Sequence, residues 1–257
     1  MKIDAYELEE RIKWLSDKVG DKKVVLGVSG GIDSAVCLEL LHRTFPKEKI
    51  IPIIMPVFDQ SIVDSEKVCE SCDLLSRALI FDITEGIETE KKLLDVDESD
   101  RIRRGNLIAR TRMMVLYDQA KKHDALVCGT TNFSEVILGY YTLWGDGIAD
   151  LEPITDLTKG QIVDLARHLQ IDEYFIEKEP SADLWEGQTD ASELGFSYGL
   201  VESVIEKMKL GEATDDESKW PIFDEDELSV IEHIRKMFYK RELPYRFNPK
   251  ENKKNND

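Results

Sequence analysis

Two glycines, two serines and a carboxylate stand together at Ser29-Gly30-Gly31-Ile32-Asp33-Ser34. Glycine permits tight backbone geometry and close approach of a ligand. Successive N–H groups of such a loop form an anion nest, and the positive end of a following helix closes it. Ser29 and Ser34 add hydroxyl donors. Asp33 repels a bare phosphate, but it fits the loop if a Mg2+ ion bridges it to phosphate oxygens. The spacing is neither G-x-x-x-x-G-K-[ST] nor G-x-G-x-x-G. The plain alternative is a glycine-rich turn with a helix cap. A chance S-G-G-x-D-S match has odds on the order of one in a few thousand. The position of the loop, between a strand pattern and a helix pattern, lowers those odds further.

Other residues join it. Thr130 follows the apolar run Ala125 to Gly129, which places it at the carboxyl edge of a parallel sheet, where α/β proteins bind ligands. Glu135 lies one turn into the next helix and can face the same crevice. With Asp33 it offers two oxygen ligands to Mg2+. Taken alone, Glu135 reads as a solvated helix carboxylate, Lys159 as a surface lysine and Ser181 as a turn residue after Pro180.

The hexapeptide resembles the pyrophosphate-holding loop of the ATP pyrophosphatases, which cleave ATP between the α and β phosphates and adenylate a substrate oxygen. Ordered motifs extend the resemblance: Asn106 to Met113, Gly129 to Glu135, Gly139 to Gly147, Lys178 to Leu184, and Glu193 to Tyr198. From about Val24 to Tyr198, with a weaker echo at Lys240 to Pro244, the chain is similar to the short, ammonia-using NAD synthetases. The resemblance implies ATP-dependent amidation of deamido-NAD to NAD by an acyl-adenylate route that releases AMP and pyrophosphate. It implies ATP over Gly27, Val28, Ser29, Gly30, Gly31, Ile32, Asp33 and Ser34, with Thr130, Lys159 and Ser181 also in contact. Mg2+ would sit on Asp33 and Glu135. Deamido-NAD would lie against Arg110 and Asp150, at the interface of a homodimer, with Tyr239 and Lys240 also in its site. Asp33, Lys159 and Asp183 are the catalytic candidates; Asp183 or Asp190 would take the proton from ammonium. Two positions depart from the family pattern. Leu143 stands where many members have a lysine, and Tyr239 where many have a histidine. The rival readings are an amide-forming ATP pyrophosphatase with another carboxylate substrate, and a nucleotide binder without turnover.

The elements that must hold these residues alternate. Lys23 to Val28, Ile50 to Met55, Ala78 to Ile83 and Ala125 to Gly129 read as buried strands. Ala35 to Arg43, Ser61 to Arg77 and Asn106 to Lys122 read as helices between them. Such alternation means βαβ units. The expected fold is α/β: a Rossmann-like three-layer sandwich, with a parallel sheet, helices on both faces and a helical C-terminal part. That part is expected as helices around Lys159 to Leu169, Tyr198 to Leu210 and Leu228 to Lys240. Residues 1–249 are expected to form one domain, followed by an unstructured tail at 250–257. Thr84 to Asp100 and Glu212 to Asp226, charged and without a clear period, are expected to be mobile.

Composition sets the outer bounds. The 257 residues carry 34 Lys plus Arg against 52 Asp plus Glu, a formal net charge of −18. That balance argues against nucleic-acid and membrane-surface partners, both polyanions. The N-terminus lacks a signal-peptide core. The four cysteines are no disulfide framework, and Cys69 and Cys72 read as helix residues rather than a redox or metal pair. A cytoplasmic location is expected. With no cysteine-based glutaminase pattern, ammonia is expected to arrive free or from a separate supplying enzyme.

Overall fold

The computed structural model describes residues 5–181, 184, 187–212 and 221–245. In chain order the elements are α1 (Ala5–Val19), β1 (Lys23–Gly27), α2 (Ile32–Thr44), β2 (Ile50–Ile54), α3 (Val63–Ser71), β3 (Leu79–Ile80), α4 (Thr84–Leu94) and α5 (Arg101–His123). There follow β4 (Ala125–Cys128), α6 (Phe133–Leu138), α7 (Lys159–His168), α8 (Glu173–Glu177), α9 (Asp190–Leu194), α10 (Tyr198–Glu212), α11 (Glu225–Met237) and α12 (Tyr239–Glu242).

The four strands form one parallel sheet in the order β3-β2-β1-β4. Side chains alternate between its two faces, as the strand period requires. Val24, Leu26, Ile50 and Ile54 enter one core with α1, α2, α7 and α8. Val25, Ile51, Ile53 and Val127 enter the other with Ile87 of α4 and Ile108 of α5. The sheet is therefore buried on both sides, which explains its unbroken apolar runs. A third apolar cluster joins α6, α10 and α11 through Ile137, Leu138, Val201, Val204, Ile205, Val230 and Ile234. Strand order reverses between β1 and β4. There the connections leave in opposite directions and open a crevice at the carboxyl edge.

Several expectations need correction. Thr84 to Leu94 is helical, not mobile. Its buried stripe runs Ile83, Ile87, Lys91, and the lysine at the third position hid the helical period. Lys91 is 5% exposed and its ammonium is paired with Glu88 and Glu98. The helix expected over Ser61 to Arg77 breaks after Ser71, because Asp73 takes φ +52°, and resumes as a 3-10 turn at Leu75–Arg77. The third strand shrinks to Leu79–Ile80, at the sheet edge. The helix expected from Leu228 begins at Glu225, where the Asp224 side chain caps it by accepting from the Glu227 N–H. Residues 213–220 of the acidic segment and the 250–257 tail lie outside the described residues. Among the described residues, no helix is long and apolar enough to cross a membrane.

Candidate active site

The loop Ser29–Ser34 leaves β1 and enters α2 at the reversal point. Gly31 is the cap residue of α2 and has no side chain to cover the first-turn N–H groups. Ile62, at the start of α3, supplies no side-chain cap either. Two helix N-termini therefore bring positive dipole ends to the crevice, and at α3 the first N–H, of Val63, donates to Ser61 Oγ at 3.4 Å. Within the loop, the Ser34 hydroxyl donates to the Gly31 carbonyl at 2.9 Å. The Gly31 N–H donates to Ser29 Oγ at 3.3 Å.

The loop after β4 closes the other side. Asn132 caps α6 in a reciprocal box: its Oδ1 accepts from the Glu135 N–H, and Glu135 Oε2 accepts from the Asn132 N–H. The Asn132 amide then donates to Asp33 Oδ1 at 3.0 Å. Lys159, the first residue of α7, donates to Asp33 Oδ2 at 2.5 Å and lies 4.0 Å from Glu135. Residues 126 apart in sequence thus meet as one polar cluster. Burial pushes the Glu135 carboxyl up to about 8, with the charge of Asp33 adding to it. Burial opposes the charge on Lys159, but Asp33 and Glu135 outweigh it and raise its pKa.

One crevice gathers most of the expected residues. Gly27, Val28, Ser29, Gly31, Ile32, Asp33, Thr130, Glu135, Lys159 and Ser181 line it. Gly30 and Ser34 lie within the same loop, behind its surface. Four further expected residues are not on that lining either. Arg110 is exposed on α5, its Nε donating to the Leu143 carbonyl at 3.3 Å. Asp150 accepts from the Val127 N–H at 2.9 Å and from the Tyr117 hydroxyl at 3.4 Å. Lys240 donates to the carbonyls of Gly139 and Tyr141, at 2.6 and 2.7 Å. Tyr239 lies beside it on α12, 43% exposed. Asp183 lies outside the described residues.

Asp190, expected beside Asp183 as a proton acceptor, is on the lining, and the structure adds its tyrosine partners, Arg112 and Asn132. Asp190, in the first turn of α9, is 4% exposed and lines the crevice. It accepts from the hydroxyls of Tyr198 and Tyr140, at 2.8 and 3.2 Å. Arg112 lines the crevice and donates to the Met55 carbonyl and to Gln60 Oε1. Asn132 could have been found from the Asn-x-x-Glu capping-box spacing. The tyrosines and Arg112 carry no comparable sequence signal. Cys69 and Cys72 are buried, and burial pushes both thiols up to about 12, the reverse of what reactive cysteines need.

Two carboxylates, an ammonium and a glycine loop at the mouth of two helices suit a polyanion carrying a divalent cation. Asp33 and Glu135, brought together around Lys159, are hard oxygen donors of the kind Mg2+ takes, with phosphate and water oxygens needed to complete its shell. Among the described residues no third His, Cys, Asp or Glu joins them in a cluster able to hold a metal by itself.

Sheet order, glycine loop and crevice together define a Rossmann-like α/β protein with its site at the carboxyl edge. Within that class the chain belongs to the NAD synthase family, whose sequence model matches residues 6–244. The NH(3)-dependent NAD(+) synthetase of Chlorobium phaeobacteroides is 42% identical over 235 residues, spanning 88% of this chain and 82% of the relative. That of Pyrococcus furiosus is 38% identical over 231 residues, 86% of each chain. Among solved structures, the NMN synthetase of Francisella tularensis superposes with a TM-score of 0.80 at 28% identity, over 95% of this chain and 98% of that one. The NH3-dependent NAD synthetase of Campylobacter jejuni gives 0.78 at 27%, over 96% and 100%.

Proposed function

We propose that this chain converts deamido-NAD to NAD with ATP and ammonia, and that the Asp33–Lys159–Glu135 cluster beneath the glycine loop is its catalytic centre. That cluster is the observation that carries the reading, and the named relatives support it. ATP lies with its phosphates over Gly27 to Ser34 and touches Thr130 and Ser181. Asp33 and Glu135 would hold Mg2+, which supplies charge neutralisation at the phosphate oxygens when bound. Lys159 places a point cation where charge develops on the departing pyrophosphate. The nicotinate carboxylate attacks the α-phosphorus and expels pyrophosphate. Ammonia then attacks the acyl carbon of the adenylate and expels AMP. The protein supplies no covalent nucleophile; alignment and preorganised charge carry the rate. Asp190 and Asp183 are the candidates for receiving the proton that ammonium releases.

The dinucleotide site extends from the crevice to Arg110 and Asp150, with Tyr239 and Lys240 expected at its border. Arg110 shares a shallow groove between α4 and α5 with Glu90, Met113, Met114 and Tyr117. Met114 is 56% exposed. We take this face to be where two copies of the chain meet.

A second reading substitutes a smaller carboxylate, the mononucleotide. Leu143 in place of the family lysine favours it, as does the likeness to an enzyme named for making NMN. A product assay decides between them. Purified protein is given ATP, Mg2+, ammonium or glutamine, and either the dinucleotide or the mononucleotide acid. AMP and the two amides are then separated by chromatography. NAD formed with ammonium but not glutamine is the expected result. NMN formed in preference to NAD would establish the second reading. AMP without either amide would overturn both.

A further inference from the structure

Asp64 stands where three parts of the crevice wall meet. On one side it supports the glycine loop. A Cβ built on Gly30 would fall 2.7 Å from the Asp64 Cβ and 2.8 Å from the Ser65 nitrogen, so the loop rests directly on the first turn of α3. On the other side its carboxylate accepts from the Tyr174 hydroxyl at 2.8 Å and from the Lys178 ammonium at 2.7 Å. Tyr174 belongs to α8 and Lys178 is its C-cap residue. Lys67, 3.8 Å from the carboxylate, covers the Tyr174 ring at 4.4 Å from its centroid. Lys178 and Ser181 both line the crevice, separated by Glu179 and Pro180. Burial works to raise the Asp64 pKa, and the bonds from Lys178 and Tyr174 outweigh it and hold it low.

We propose that Asp64 is a positioning residue of the ATP subsite. By gripping Tyr174 and Lys178 against the first turn of α3, it sets the distance between the glycine loop and the segment that carries Ser181. The inference rests on the reading of that subsite given above. The side chains of Lys178 and Asp64 are 42% and 22% exposed, and ion pairs this open add little to folding stability. Their work is then geometric: the two walls that would close on the nucleotide are joined by one carboxylate.

The test compares the wild type with Asp64→Asn, Lys178→Met, the double variant and Asp64→Glu. Each of the first two is expected to raise the KM for ATP about tenfold, while kcat at saturating ATP and the KM of the second substrate stay within about twofold. Thermal midpoints stay together. The double variant is no worse than the worse single, because both remove one contact. Asp64→Glu recovers part of the ATP affinity. Binding of a non-hydrolysable ATP analogue follows the KM. An unchanged KM for ATP, equal rises for both substrates, or an additive double would overturn the inference. So would tighter ATP binding in Asp64→Asn, which would show Lys178 freed to meet phosphate. The analogue separates this inference from the functional reading. If the wild type binds it yet forms no amide, the reading fails, and weaker binding by Asp64→Asn still carries the inference. If the wild type does not bind it, both fall.

Discussion

Lys159 is the cation held between Asp33 and Glu135, and its position at the first turn of α7 leaves its N–H donating to Ser134 Oγ at 3.1 Å. Replacing it by methionine keeps the stem and removes the charge. In steady-state assays kcat/KM should fall by about 10² to 10³, the usual loss for one preorganised charge at a developing oxyanion. Glu135 gives a second prediction at this scale. Its folded pKa, about 8, lies above the ordinary 4.5. The folded chain therefore keeps a proton that the unfolded chain has released. Stability of the ligand-free protein should fall as pH rises from about 4.5 through about 8, then level off. Glu135→Gln keeps the capping box, since glutamine serves equally at that position. Thermal melts across this range should show a shallower slope in the variant, with the part due to Asp190 and Asp146, whose pKa values burial also raises, remaining; an unchanged slope would place the proton elsewhere. Asp33, Glu135 and Lys159 were legible in the sequence because short motifs surround them. Asp190 entered only beside Asp183 as a proton acceptor, through the family resemblance, and its tyrosine partners did not enter as site residues at all. The hydroxyl of Tyr140 reaches Asp190 across 50 positions, and no local pattern encodes such a meeting.

Among the elements, the glycine loop and α3 depend on each other most closely. Gly30 has φ +79° and no space for a side chain on the α3 side. Gly30→Ala should cost about 1–3 kcal/mol of stability from backbone strain alone, and it should weaken ATP binding by pushing α3 outward. Urea unfolding and analogue binding measure the two effects separately. The same scale shows why some elements could be read and others not. Strands buried on both faces announce themselves as continuous apolar runs, as Ile50–Ile54 does. A helix whose buried stripe includes a lysine, as at Lys91, does not. The break after Ser71 turns on a left-handed aspartate, which any loop composition could hide.

For the whole molecule the exposed face of α5 matters most. If two copies meet on this face as proposed, the parent should sediment as a dimer and a Met114→Glu variant as a monomer at the same concentration, with a raised KM for the dinucleotide and a smaller change for ATP. A parent that is monomeric throughout the assay range would remove the interface from the substrate site.

The shared position of α6 has a further consequence. It carries Glu135 on the side of the crevice, and it buries Ile137 and Leu138 in the cluster formed with α10 and α11. Six residues cannot hold a helix unaided. The chemistry is therefore not modular. A fragment ending before Tyr198 would retain every strand of the sheet and the whole glycine loop, yet lose the bracing that orients one of its two carboxylates. Reduction of this enzyme to its nucleotide-binding half would leave a binder without a catalyst, and grafting the loop elsewhere would require bringing the distant helices with it.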